Sequence, residues 1–191
     1  MRLRAAREQE TSWPSSLVQK LSTILNRPEY IHAAINHLPL VGLLVAALAL
    51  LIAVVARSRG ATLIGLALVA LFSLTAWPVY EYGQEGYDRV LSMADEDGGK
   101  YLQRHKELAE RWTFLYFITA GVAALGFALA WKWPQVLLPS SLLALALAAA
   151  SLAAGVAIAK VGGEVRHREF RFGPPTAGAE EMLPSRVADA G

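Results

Sequence analysis

The chain has no cysteine among its 191 residues. A covalently attached c-type heme needs a C-x-x-C-H motif and iron–sulfur clusters need thiolate ligands, so the sequence excludes both. Disulfide bonds are excluded as well, so cysteine usage says nothing about the redox compartment. Residues 1–30 lack the apolar segment of a cleavable signal peptide. A net charge of only +2 gives no reason to expect a nucleic-acid partner.

Charged residues are also absent from four long stretches of the chain. A helix that rises about 1.5 Å per residue needs roughly 20 residues to cross the hydrocarbon core of a bilayer, and each stretch reaches about that length. A charge at the centre of the bilayer is costly, which accounts for its absence there. The sequence therefore predicts an all-α integral membrane protein with four transmembrane helices. The stretches are 38–56, 61–80, 112–131 and 136–159.

Short connections and similar helix lengths favour an up-down-up-down four-helix bundle. Both termini then lie on one side of the membrane, which we call side A. The domain organisation is an N-terminal arm over 1–29, the transmembrane bundle over 30–172 and a flexible tail over 173–191. Within the arm, 14–26 carries one apolar stripe at helical spacing. This pattern predicts a helix lying in the membrane interface or, equally, one packed on a partner subunit.

Two local expectations concern the chain between the second and third crossings. The second crossing is expected to end at the aromatic run Trp77-Pro78-Val79-Tyr80, followed by a break. The acidic run Asp95-Glu96-Asp97-Gly98-Gly99 then predicts a solvated turn. The third helix is expected to begin about three turns before the membrane and to keep one apolar stripe, which includes His105 and Trp112.

The chain has only four histidines, and all of them fall on side A: His32, His37, His105 and His167. On one helix, His32 and His37 would point about 140° apart and differ by about 7.5 Å in height, which disfavours a shared small metal ion. Each could instead serve a planar cofactor. Imidazole is the usual axial ligand of b-type heme, and helix bundles present such ligands on facing helices. The histidines therefore predict one or two heme b groups.

Several neighbouring residues fit a heme, and each also has a simpler explanation. Arg104, Arg166 and Arg168 would neutralise heme propionates, or would simply anchor the helices at the membrane surface. The pair Gly162-Gly163 would let a porphyrin or a second backbone approach closely, or would mark a helix end. A lone histidine near the headgroups is also common without any ligand.

Two motifs resemble a bacterial membrane family catalogued as domain of unknown function 2231. The segment His32-Ala33-Ala34-Ile35-Asn36-His37-Leu38-Pro39 is similar to that family's H-P-x-x-x-H-F-P motif, with Ala33 and Leu38 as departures. Gly162-Gly163-Glu164-Val165-Arg166-His167 resembles its G-G-E-x-x-x-H segment, and Arg104-His105 fits its remaining histidine. The resemblance covers roughly 30–172. Family members are sometimes joined to c-type cytochrome or Rieske domains, which implies respiratory electron transfer in the bacterial inner membrane.

The first functional expectation is therefore a b-type cytochrome-like subunit of a redox complex, rather than a stand-alone enzyme. It would pass electrons between a partner on side A, such as a cytochrome c or an iron–sulfur protein, and the quinone pool. One alternative is a non-heme metal site that adds Glu107 and Glu164 to the histidines. The other is an anchor or assembly subunit with no cofactor.

The preferred ligand pairing follows from depth along the helices. It assigns His37 and His105 to an inner heme, and His32 and His167 to an outer one. The alternative pairs His37 with His167 and His32 with His105. A single heme would use two histidines and leave two as hydrogen-bonding partners.

Overall fold

A computed structural model describes residues 15–171. The flexible tail predicted for 173–191 and the first residues of the N-terminal arm lie outside this range. All regular structure within it is helical, in the order α1 (Ser15–Leu25), α2 (Pro28–Ile35), a π-helical turn (Leu38–Gly42), α3 (Leu43–Val55), α4 (Arg59–Leu74), α5 (Ala76–Met93), α6 (Glu96–Trp112), α7 (Phe114–Lys132), a 3-10 turn (Pro134–Val136), α8 (Leu137–Arg166) and a 3-10 turn (Arg168–Phe170).

Consecutive helices join into four segments that are long and apolar enough to cross a membrane, as the charge-free stretches predict. They are Pro28–Val55, Arg59–Met93, Glu96–Lys132 and Pro134–Arg166. Each segment is longer than its charge-free stretch, and most of the excess precedes the first and third stretches and follows the second and fourth. Four helical ends therefore extend beyond the apolar part of the protein.

The second segment corrects one expectation from the sequence. The helix does not stop after Tyr80, because α5 continues to Met93. The interruption falls earlier, at Thr75, between α4 and α5. Pro78 lies in the first turn of α5, where a missing backbone N–H removes no intrahelical hydrogen bond. The proline therefore helps a new helix to start rather than ending the old one.

The acidic run after α5 is the beginning of a helix, not a solvated turn. Asp95 is the N-cap of α6, and its carboxylate accepts a hydrogen bond of 2.7 Å from the backbone N–H of Gly98. Glu96 and Asp97 fill the first turn, where negative charge is favourable beside the positive end of the helix dipole. The third segment accordingly begins about sixteen residues before Trp112.

The apolar helices pack through small residues. Helix α3 contacts α4, α4 contacts α7, α7 contacts α8, and α8 returns to α3. Gly65 lets α4 approach the backbone of Leu50 closely, and Thr119 and Ser151 share a buried hydrogen bond of 2.9 Å between α7 and α8. Close approach and hydroxyl bonding are the usual means of helix association where lipid offers no hydrophobic driving force.

Beyond the charge-free stretches, the helical ends pair in a different way. Helix α2 packs against α5, and α6 packs against α8. Helix α1 forms within the predicted amphipathic segment, and its Leu17 and Ile24 remain nearly half exposed. The helix is therefore confirmed, while its position in the membrane interface stays a prediction.

Candidate functional site: a histidine pair on side A

Two of the four histidines meet between the side A helices. His32 lies on α2 and His105 on α6, and their ring centroids are 6.3 Å apart with the ring planes at 86°. Both rings lie just beyond the charge-free stretches, since His32 precedes the first stretch by about two turns and His105 precedes the third by a similar length. The pair therefore sits at the polar end of the bundle.

Each imidazole is held by one backbone carbonyl of the neighbouring helix. Nδ1 of His32 lies 2.8 Å from the carbonyl oxygen of Val79, and Nδ1 of His105 lies 2.9 Å from that of Ile158. A carbonyl can only accept, so each Nδ1 carries the proton and donates it. This fixes the tautomer and leaves Nε2 with its lone pair available. Within the described residues, no hydrogen bond reaches either Nε2.

A glycine lies under each ring. Gly83 follows Val79 by four residues, and Gly162 follows Ile158 by the same interval. A Cβ atom at Gly83 would lie 3.0 Å from Cε1 and Nδ1 of His32, and one at Gly162 would lie 3.0 Å from the same atoms of His105. Any larger residue would push the imidazole away from its carbonyl. The absence of a side chain is therefore what lets each ring reach the helix backbone.

The two halves of the chain thus use one arrangement twice. The first half supplies His32, Val79 and Gly83, and the second supplies His105, Ile158 and Gly162. In each half a histidine helix packs against a partner helix that offers a carbonyl and, one turn later, a glycine. The two imidazoles come from different halves, so neither half completes the pair alone.

The other two histidines lie apart from this pair. His37 is exposed and precedes the π-helical turn, beyond the end of α2. His167 is exposed after α8, where its Nδ1 lies 3.0 Å from Glu169. The structure therefore brings together His32 and His105, the alternative pairing, and not the preferred His37 with His105. The preferred pairing rested on depth along the helices, whereas the contact between His32 and His105 depends on how α2 and α6 face each other.

The arginines assigned to heme propionates have other partners or positions. Arg168 lies 2.6 Å from Asp95, which precedes His105 by ten residues, or about 15 Å along α6. Arg104 pairs with Glu107 at 3.5 Å, and Arg166 is exposed at the end of α8. Arg168 is therefore held near the start of α6, and the role of the three arginines at a heme stays a prediction.

A non-heme metal centre finds little support in the described part of the chain. No group of three or more histidine, aspartate or glutamate side chains there is arranged to hold a metal ion. Glu107 accepts a hydrogen bond from Gln103, and Glu164 is buried near the end of α8. The carboxylates suggested for such a site therefore do not join the two imidazoles.

Sequence reasoning identified both histidines but missed what holds them. Val79 and Ile158 contribute through backbone carbonyls, which any residue type would supply. Gly162 was singled out for a close approach, and the structure shows that the approaching group is the imidazole of His105. Gly83 could have been predicted as a contact site from the sequence, since a glycine inside an otherwise regular amphipathic helix often marks the close approach of another group.

The part of the chain that the structure describes is all-helical, with four helices long and apolar enough to cross a membrane and a histidine pair near one end of them. No known family model, curated protein or solved structure matches this chain.

Proposed function

We propose that His32 and His105 would together hold one heme b. The observation that carries this proposal is the separation of the rings. The centroids of the two imidazoles, which come from different helices, are 6.3 Å apart. Imidazole is the usual protein ligand of b-type heme, and helix bundles present such ligands on facing helices.

The chemistry of the donors supports the same group. Each Nδ1–H donates to a carbonyl, which orients the ring, leaves Nε2 free for iron and raises the basicity of the ligand. Gly83 and Gly162 remove the bulk that would otherwise stand against the rings. One heme uses His32 and His105 and leaves His37 and His167 outside the site.

When bound, heme b would supply reversible one-electron transfer. In the proposed site one imidazole from each of two helices would hold the heme. The role that fits is electron transfer rather than binding or activation of a small molecule. We therefore propose a b-type cytochrome-like subunit, and not an enzyme that acts alone.

The position of the pair suggests where electrons enter and leave. The rings lie on side A, beyond the charge-free stretches, where a water-soluble redox partner can dock. The same end borders the apolar part of the bundle, where quinone would dissolve. We propose electron exchange between such a partner and the quinone pool, in the bacterial inner membrane.

The visible spectrum of the purified full-length protein tests the proposal. Reduction with dithionite should produce the sharp bands of a six-coordinate b-type heme, with about one heme per chain by pyridine hemochromogen assay. A spectrum without these bands but with a stoichiometric bound metal would favour the non-heme alternative. A protein with neither would reject both and favour an anchor or assembly subunit.

The proposed topology is an up-down-up-down bundle with the histidine pair on one side of the membrane. Reporter fusions at Gly60 and Pro134 should behave alike, and fusions at Gly98 should show the opposite location. The physical reason is that each of the four apolar helices carries the chain across the bilayer once. A fusion at Gly98 that reports the same side as Gly60 would contradict the topology.

A further inference from the structure

We propose that two ion pairs, Glu29–Arg89 and Asp95–Arg171, are positioning devices that set the orientation of His32 and His105. Each pair joins the helix that carries a histidine to the chain segment that carries its carbonyl partner. The inference rests on the proposed function for the role of iron. Its test reads the imidazole hydrogen bonds directly, so it can succeed or fail independently of heme.

The first pair joins α2 to α5. Oε1 of Glu29 lies 3.0 Å from Nε of Arg89, and the glutamate side chain is only 9% exposed. Glu29 precedes His32 by three residues, so it lies one turn above the ring on α2. Gly86 lets the two helices meet at this level, because a Cβ there would lie 3.0 Å from the backbone nitrogen of Glu29.

The second pair joins α6 to the end of α8. Nη1 and Nη2 of Arg171 each lie 3.1 Å from a carboxylate oxygen of Asp95. The same guanidinium donates to the backbone carbonyls of Glu164 at 2.7 Å and Val165 at 2.8 Å. Those carbonyls belong to the second and third residues after Gly162. The pair therefore connects the first turn of the His105 helix with the backbone next to the glycine under that ring.

Asp95 is well suited to a persistent contact. The hydrogen bonds from Arg171 and from the Gly98 backbone hold the pKa of its carboxyl well below the usual range. A lowered carboxyl pKa contributes stability above the unfolded-state value of about 3.9, and this stability is lost only as pH falls through the folded-state value. The pair should therefore remain intact throughout the physiological pH range.

Arg168 also contacts Asp95, at 2.6 Å, and so reinforces the second pair, whereas the remaining ion pairs of the described chain are local. Lys100–Asp97, Arg104–Glu107 and Lys106–Glu110 each join residues three or four apart on α6. Such pairs stabilise one helix but cannot fix one helix against another. Hydrogen bonds from imidazole to carbonyl weaken over a few tenths of an ångström, so they depend on the relative position of two helices. Glu29–Arg89 and Asp95–Arg171 each join two chain segments and therefore help to fix the relative position of the helices.

Histidine NMR tests the inference on the full-length protein in detergent, reduced with dithionite so that any heme iron is diamagnetic. With four histidines in the chain, ¹⁵N-histidine labelling gives four sets of imidazole signals, which single histidine variants assign. Wild type should show slowly exchanging Nδ1–H signals for His32 and His105. Glu29→Gln should lose the His32 signal and keep that of His105, and Asp95→Asn should do the reverse.

Asp97→Asn is the matched control, because it removes a carboxylate from an exposed pair within α6. It should leave both signals in place. The charge-swapped protein Glu29→Arg with Arg89→Glu should restore the His32 signal, which separates positioning from a general loss of folding. Retention of both Nδ1–H signals in Glu29→Gln and Asp95→Asn would overturn the inference, as would equal loss of both signals in either variant. If wild type has both signals but no heme, the positioning role stands and the heme proposal fails.

Discussion

Alanine in place of either His32 or His105 is expected to lower the heme content of the purified protein by at least about tenfold. Both imidazoles serve the same iron in the proposed site, so removing one leaves a heme with a single protein ligand and an opened face. His37→Ala and His167→Ala should retain the wild-type heme content and reduced bands, because both side chains lie apart from the pair. Pyridine hemochromogen assays, normalised to protein, measure the outcome.

These four variants also separate one heme from two. In a two-heme protein, each of the four replacements would remove about half of the heme. The single-site geometry predicts two variants with almost none and two that are unaffected. Loss of heme from His37→Ala with retention in His32→Ala would contradict the pairing. Since both variants change α2 or the residues just after it, their comparison also controls for damage to that segment.

Leucine at Gly83 or Gly162 should have an effect nearly as large as loss of the histidine itself. A Cβ at either position already lies 3.0 Å from the imidazole, and the remaining leucine atoms would occupy the place of the ring. The displaced imidazole would lose its carbonyl hydrogen bond and its alignment with the iron. We expect heme content to fall about tenfold, with Gly83→Ala and Gly162→Ala causing a smaller loss and a shifted midpoint potential.

Gly121→Leu provides the matched control for this experiment. Gly121 is also helical, but a Cβ there meets nothing within 4 Å, so the larger side chain has open space. This variant should fold, insert and bind heme like wild type. If Gly83→Leu and Gly162→Leu also bind heme normally, the glycines do not support the ring positions and the site must be organised differently.

The four apolar helices could be predicted from the sequence because the signal is long and repeated. Some 20 consecutive residues without charge have few explanations other than a membrane span or a buried helix, and the chain has four such stretches. The residues at which the helices begin and end are harder to predict from the sequence. From the sequence, Pro78 suggests the end of a helix. In the structure it lies in the first turn of α5, because the preceding helix is interrupted at Thr75, and no residue type there predicts that interruption.

The histidine pairing could not be read from the sequence for a related reason. Spacing along one helix gives the angle between His32 and His37, but it does not give the rotation or axial position of one helix relative to another. The rotation and axial position of the helices are set by close contacts between them. Here these are the contacts of the imidazoles with Gly83 and Gly162 and with the backbone carbonyls that these glycines leave uncovered. The ion pairs at Glu29 and Asp95 depend in turn on residues about 60 and 76 positions later in the chain.

The use of one arrangement by both halves has a consequence for how such a protein arises. A lone hairpin with one histidine, one carbonyl and one glycine would offer a single imidazole, and two copies meeting side by side would offer a pair. Doubling the coding segment of that hairpin would join the copies covalently and free each to diverge. Both halves would then keep a histidine, a carbonyl and a glycine four residues later, as His32, Val79 and Gly83 and their counterparts His105, Ile158 and Gly162 do. Expression of the two halves as separate polypeptides, divided between Met93 and Asp95, would test whether they assemble without a covalent link.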